Sequence, residues 1–104
     1  EGSFAPEARR PDAFIVQFGG ETKVRAAKLM YELRRAGLHA EMDHLSRSVR
    51  AQMKAANRLN ARWVLILGEE ELLAGQAKLK DMDRGTEELV DLAVVRQHIQ
   101  VGEE

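Results

Sequence analysis

Arg47, Arg50, Lys54 and Arg58 recur at intervals of three, four and four residues. At about 100° per residue, that spacing puts all four on one stripe of a helix. A row of cationic side chains suits phosphate oxygens, because each guanidinium donates two parallel hydrogen bonds. A solvated helix face carries the same pattern, so the stripe alone leaves both readings open. Glu69, Glu70 and Glu71 form a second cluster. A carboxylate only accepts hydrogen bonds, which matches the N–H groups on the Watson–Crick edge of an unstacked guanine. An acidic triplet also suits solvated surface or the start of a helix, where the dipole favours negative charge. Lys80 follows nine residues after Glu71 and precedes Asp81. It can donate to a base acceptor or a phosphate, and on an edge strand a lysine also discourages aggregation.

Catalytic chemistry has little to stand on. Cysteine is absent, which removes disulfides, thiolate metal sites and cysteine nucleophiles together. His39, His44 and His98 are scattered, and none forms the i, i+4 pair of a helical zinc site. Asp43, His44, Ser46 and Ser48 are neighbours in sequence, but a triad needs spatial convergence and a sharp nucleophile turn. A polar loop and a helix cap explain them. Gly19-Gly20 lacks both the third glycine of a dinucleotide fingerprint and the Lys-Ser/Thr of a P-loop. No catalytic or metal-binding residue is assigned.

The charge is polarised along the chain. The 104 residues sum to −1, yet residues 22–62 hold ten basic and three acidic residues. Residues 63–104 hold four basic and ten acidic ones. Such asymmetry points to an anionic partner or to pairing of the two halves across the fold. The length fits one domain with one real core, burying roughly two-thirds of the unfolded surface. No run approaches about 18 consecutive apolar residues, so no membrane span is expected. No secretory signal is visible. With the missing cysteines, this fits a cytoplasmic protein.

The elements that must position these residues follow from periodicity. Residues 1–11 hold both prolines and read as a linker, leaving 12–104 as the domain. Ala13–Phe18 is a short apolar run stopped by Gly19-Gly20, which predicts a buried strand and a turn. Thr22 is the expected cap of a helix with Ala26, Leu29, Met30, Leu33 and Ala36 inward, ended by Gly37. Leu38–Met42 reads as a strand. Ser46 or Ser48 caps a second helix with Val49, Met53, Ala56 and Leu59 inward. Arg62–Leu67 reads as a central parallel strand buried on both faces. Glu69–Leu73 is one helical turn. Gln76–Met82 and Thr86–Leu92 form a hairpin around Asp83-Arg84-Gly85, with Ala77, Leu79 and Met82 inward. Ala93–Val101 is a terminal helix carrying Val94, Val95 and Ile99. The β-α-β-α-β order forces parallel pairing with right-handed crossovers. The expected architecture is an α/β fold: a five-stranded mixed sheet with three helices.

Read in order, these stretches resemble the C-terminal anticodon-binding domain of histidyl-tRNA synthetase, a class II aminoacyl-tRNA synthetase. The likeness is carried by Phe14–Phe18 with Gly19-Gly20, by Leu33-Arg34-Arg35-Ala36-Gly37-Leu38, and by Ser48-Val49-Arg50-Ala51-Gln52-Met53-Lys54-Ala55-Ala56. Most specific is Leu65-Ile66-Leu67-Gly68-Glu69-Glu70-Glu71-Leu72 followed by Lys80-Asp81. It covers about residues 12–100.

The resemblance implies the same mixed sheet and a tRNA partner. It implies that Glu71 and Lys80, with Gln52 as a lesser candidate, contact anticodon bases. The histidine anticodon, GUG, has guanines at both ends, which suits an acceptor such as Glu71. Arg47, Arg50, Lys54 and Arg58 would bind phosphate. The family usually continues from Lys-Asp through a turn into Gly-Glu-Gln, where this chain has Gly85-Thr86-Glu87, so a donating amide is replaced by a carboxylate. The fragment would not itself be an enzyme and would need no cofactor. Its parent would be a histidine–tRNA ligase using ATP and magnesium, with a catalytic domain in the same protein and a homodimeric assembly. Threonyl, prolyl and glycyl synthetases share this domain type. Another reading is a synthetase-like domain for protein association or regulation. A small doubly wound enzyme or receiver-like module is disfavoured, because no acid cluster or phosphate loop follows the first or third strand.

Overall fold

The structure, a computed structural model, describes residues 10–43, 45 and 48–102. Most of the expected linker, together with His44, Ser46 and Arg47, lies outside the described residues. Five strands, β1 (Ala13–Phe18), β2 (Ala40–Met42), β3 (Trp63–Gly68), β4 (Gln76–Asp81) and β5 (Thr86–Asp91), form one sheet in the order β2-β1-β3-β4-β5. β1 pairs in parallel with β2 and β3, and β4 and β5 add antiparallel neighbours. The described helices are α1 (Thr22–Arg35), α2 (Val49–Arg58), the single turn α3 (Glu69–Leu73) and α4 (Val95–Gly102). This is the expected mixed sheet and helix order.

The two crossovers from β1 to β2 and from β2 to β3 run in opposite directions, so their helices land on opposite faces. Side chains alternate along each strand, which splits the core in two. One face packs Ala13, Ile15, Leu65, Leu67 and Leu79 with Leu29 and Leu33 of α1 and Val95 and Ile99 of α4. The other packs Phe14, Val16 and Val64 with Ala55 and Ala56 of α2. β3 is closed in on both sides, as its continuous apolar run demands.

Several local expectations change. Thr22 is the first residue of α1 and not its cap. Glu21 holds the cap position without a side-chain bond, and the Thr22 hydroxyl donates to the Gly19 carbonyl at 2.8 Å. Ser48 does cap α2, accepting from the Ala51 N–H at 3.1 Å. The end of α1 is closed by Leu38 N–H to Leu33 carbonyl and Gly37 N–H to Arg34 carbonyl, both 3.0 Å. Gly37 takes φ +92°, which glycine adopts without a Cβ penalty. That turn uses up Leu38 and leaves β2 only three residues. Met82 belongs to the α2 side, while Asp81 takes the inward position on the α1 side with Ala77 and Leu79. Leu59, past the end of α2, and Val94, in a 3-10 turn before α4, are exposed.

Pro11 is buried, and its carbonyl accepts from Arg62 N–H at 3.0 Å. The Arg10 guanidinium reaches the Asn60 carbonyl at 2.9 Å and Asp83 at 2.8 Å. The described end of the expected linker is therefore packed on the domain.

Candidate functional site

Helix α2 packs over β1 and β3, with Met82 at the end of β4, while Lys78, Glu87 and Leu89 of the hairpin are exposed. The register places Lys80 beside Val64 and Lys78 beside Ile66, so both lysines share a face with the α2 core. Across the hairpin, Lys80 faces Glu87 and Lys78 faces Leu89. Lys78, Glu87 and Leu89 are exposed and Lys80 is half-buried. Lys78 lies 4.0 Å from Glu87, a loose pair in water.

Glu71 stands at the upper edge of the same face. Gly68 ends β3 in extended backbone, φ −92° and ψ 158°. Without a side chain there, two groups close over it. The Glu71 Oε1 atom and the Phe18 Cζ atom both lie within 3.0 Å of the position a Gly68 Cβ would take. Phe18 is 45% exposed, although Phe14 and Val16 on the same side of β1 are buried under α2. Glu71 and Lys80 do not meet. They mark two heights on one face, separated by four residues of β3, about 13 Å of strand.

Glu69 has a separate task. Gly19 and Gly20 take φ +87° and +47° and turn the chain from β1 into α1. A Cβ on Gly20 would lie 2.5 Å from Glu69 Oε2. The place above the double glycine, where a phosphate loop would hold its anion, is filled by the chain's own carboxylate. Glu70, the middle acid of the triplet, is exposed.

Gln52 is fully buried, and both ends of its carboxamide engage the main chain of Gln17. The Gln17 N–H donates to Oε1 at 3.0 Å and Nε2 donates to the Gln17 carbonyl at 2.9 Å. The structure thus gives Gln52 the work of pinning the end of β1 against α2, one residue before Phe18.

Arg50, Lys54 and Arg58 are exposed and point away from the core residues Gln52, Ala55 and Ala56. They run along the outer surface of the helix that borders the open half-sheet. Arg47 lies outside the described residues.

A different ionic cluster sits at the opposite end of β3. Arg62 donates to Asp81 at 2.6 Å, lies 3.2 Å from Asp83, and holds its guanidinium 4.5 Å over the Trp63 ring. Asp81 also accepts from the N–H groups of Asp83 and Arg84, each at 3.1 Å. Burial opposes its ionisation, but the Arg84 N–H, the Arg62 guanidinium and the Asp83 N–H outweigh it. They hold the carboxyl below the ordinary aspartate value. Asp81 is therefore an anchor of the hairpin turn.

Of the two described histidines, His39 lies 3.0 Å from Glu41 in β2, and His98 is in α4. Among the described residues, no three His, Cys, Asp or Glu side chains come together as a metal site. No described helix is long and apolar enough to cross a membrane.

Sequence reasoning missed Phe18 and Lys78. In the sequence Phe18 is one more apolar strand residue; the structure leaves it exposed where Phe14 and Val16 are buried. The alternation of β4 places Lys78 and Lys80 on one side, a signal available from the sequence.

Comparison with known proteins adds an independent line. A family model described as the anticodon binding domain matches residues 12–101. A histidine–tRNA ligase of Symbiobacterium thermophilum is 46% identical over 105 aligned positions, covering 99% of this chain and 24% of the relative. One from Syntrophotalea carbinolica is 49% identical, covering 85% of this chain and 21% of the relative. The chain therefore spans under a quarter of these relatives' length. Among solved structures, apo S. aureus histidyl-tRNA synthetase superposes with a TM-score of 0.81 at 33% identity, over 86% of this chain and 23% of that one. The RNA binding domain of threonyl-tRNA synthetase from Cryptosporidium parvum Iowa II gives 0.78 at 20% identity, over 90% of this chain and 23% of that one, a likeness of fold.

Proposed function

The chain belongs to the anticodon binding domain family, and from that premise we propose that it grips the anticodon loop of a tRNA with the open half of its sheet. The observation that carries the reading is Glu71. Its carboxylate shares the space over Gly68 with an exposed aromatic residue, at the rim of a face that carries Lys78 and Lys80 and on which α2 packs, with Arg50, Lys54 and Arg58 on the helix's outer surface. Acids near RNA are few and base-directed, since phosphate repels them. Cations spread around them supply the sequence-independent grip. In this reading Glu71 accepts from a base edge and Lys80 donates to a base or phosphate. Arg47, Arg50, Lys54 and Arg58 contact phosphates, and Gln52 positions the end of β1.

The relatives named histidine–tRNA ligase favour a histidine tRNA, whose GUG anticodon offers guanine donors to Glu71. The domain spans residues 12–104, joined through residues 1–11 to a catalytic domain. That domain would carry out aminoacylation with ATP and magnesium in a cytoplasmic homodimer. The described residues of this chain offer no acid or histidine cluster for the metal, so no step is assigned to it in this domain. Protein association would call for an apolar patch on the open face. There Leu89 is exposed among charged neighbours.

Fluorescence titration of the chain with a GUG stem-loop and a scrambled loop tests the reading. The GUG loop should bind more tightly, and Glu71→Gln should narrow that difference, because an amide accepts without a charge. Arg50→Ala and Lys54→Ala should each lower the salt slope by about 1 without changing loop preference. Equal affinity of the unaltered chain for both loops would overturn base reading.

A further inference from the structure

We propose that Phe18 is the platform on which one base of the bound loop stacks while Glu71 accepts hydrogen bonds from that base's edge. The inference rests on the tRNA-binding reading and names the residue that completes its base-reading site. Phe18 ends β1, beyond the cover that α2 gives to Phe14 and Val16, and stays 45% exposed. Unstacked bases gain most from such a ring, because every base offers a π-face whatever its identity. An isolated exposed aromatic would prove little. The decisive feature is its place over Gly68, where the ring's outer tip and a Glu71 carboxylate oxygen both lie within 3.0 Å of the point a Cβ would occupy.

That arrangement has a preferred geometry. The edge of an aromatic ring is its positive region and the face its negative one. Cζ is an edge atom, and it is this atom that shares the space over Gly68 with the Glu71 oxygen, so the carboxylate is on the side of the ring that favours it. A base laid on the ring face brings its Watson–Crick edge toward an acceptor already in place. Guanine presents N1–H and N2–H side by side, and the two oxygens of one carboxylate can take both. Adenine and the pyrimidines present an acceptor or a single donor there. The platform would supply affinity for any base and Glu71 the preference for guanine. Lys78, on the same face and beside Ile66 two residues before Gly68, is placed to meet the neighbouring phosphate.

The test uses the chain with Phe18→Leu and Phe18→Tyr, titrated with the GUG stem-loop and with loops in which one guanine at a time is replaced by an abasic site. Phe18→Leu should weaken the GUG loop by about 5- to 150-fold, the range of base–aromatic stacking, while Phe18→Tyr retains affinity. For one of the two abasic loops the Phe18→Leu penalty should vanish, since the base that stacked is gone. Urea midpoints of both variants separate lost stacking from lost folding. If the unaltered chain prefers GUG but Phe18→Leu binds it equally well, the platform is overturned and the tRNA reading stands. A Phe18→Leu penalty that persists on every abasic loop also overturns it. If the unaltered chain shows no preference, the underlying reading fails and takes the platform with it.

Discussion

The side chain of Gln52 and the main chain of Gln17 bind each other twice, N–H to Oε1 at 3.0 Å and Nε2 to the carbonyl at 2.9 Å. The pair joins the first turn of α2 to the last turn-facing residues of β1, and both residues are buried. Main-chain groups at a strand end lose their ladder partners, and inside a core water cannot replace them. Gln52 supplies both missing partners from one planar group. The Gln17 side chain completes the arrangement. Its Oε1 lies 3.3 Å from the Thr22 hydroxyl, which also reaches the Gly19 carbonyl at 2.8 Å.

Gln52→Met preserves much of the side-chain length but leaves the Gln17 N–H and carbonyl without this partner. It should cost about 2–6 kcal/mol, from one to three for each of the two orphaned buried groups, read as a fall in the urea midpoint. RNA affinity of the folded fraction should weaken modestly, through the loosened seat of Phe18. A variant with unchanged stability and abolished GUG preference would return Gln52 to the role of base reader.

Asp81 makes the acid limb of stability predictable in sign. Its folded pKa lies below the ordinary value, because hydrogen bonds and Arg62 outweigh its burial. As pH falls, the unfolded chain therefore takes up the proton first. Its stabilisation is fully present above the unfolded value of about 3.9 and is lost as pH drops through the folded one. Asp81→Asn should be less stable than the parent at pH 7, and the gap should narrow on acidification. Urea titrations at pH 7, 5 and 3 measure it. A gap that stays constant with pH would mean that the Arg62–Asp81 pair contributes no proton linkage.

The contrast between these residues shows what periodicity conveys. Ala13–Phe18 was legible as a strand because five of its six residues are apolar and two glycines stop the run. Its neighbours followed because each crossover helix has a clear inward face. The polar core was not legible. Gln52 sits at a position that reads as surface beside Val49 and Met53, and only the main chain of a strand 35 residues earlier explains its burial. Asp81 likewise displaces Met82 from the inward register because Arg62, 19 residues away, supplies its counter-charge. Thr22 had the local chemistry of a cap, but the Gly19 carbonyl captured its hydroxyl first. At the candidate site, Glu71 and Lys80 came from motif order. Phe18 joined them only through a gap left by a glycine on the adjacent strand.

That gap supplies the sharpest separation between folding and binding. Gly68 has extended dihedrals that any residue adopts, so alanine meets no backbone penalty there. An added Cβ would instead press on Glu71 Oε1 and on Phe18 Cζ, the latter at 2.8 Å. Both are the free ends of rotatable side chains, and both can swing outward. Gly68→Ala should therefore change stability little. Reduced freedom of the unfolded chain offsets the crowding by about 0.4–1 kcal/mol. The same outward swing pulls the carboxylate and the ring apart, so the GUG stem-loop should bind more weakly while the scrambled loop binds as before. Thermal melts and paired titrations on the same preparation give both numbers. A large loss of stability with intact GUG preference would show that the space over Gly68 serves packing and not recognition.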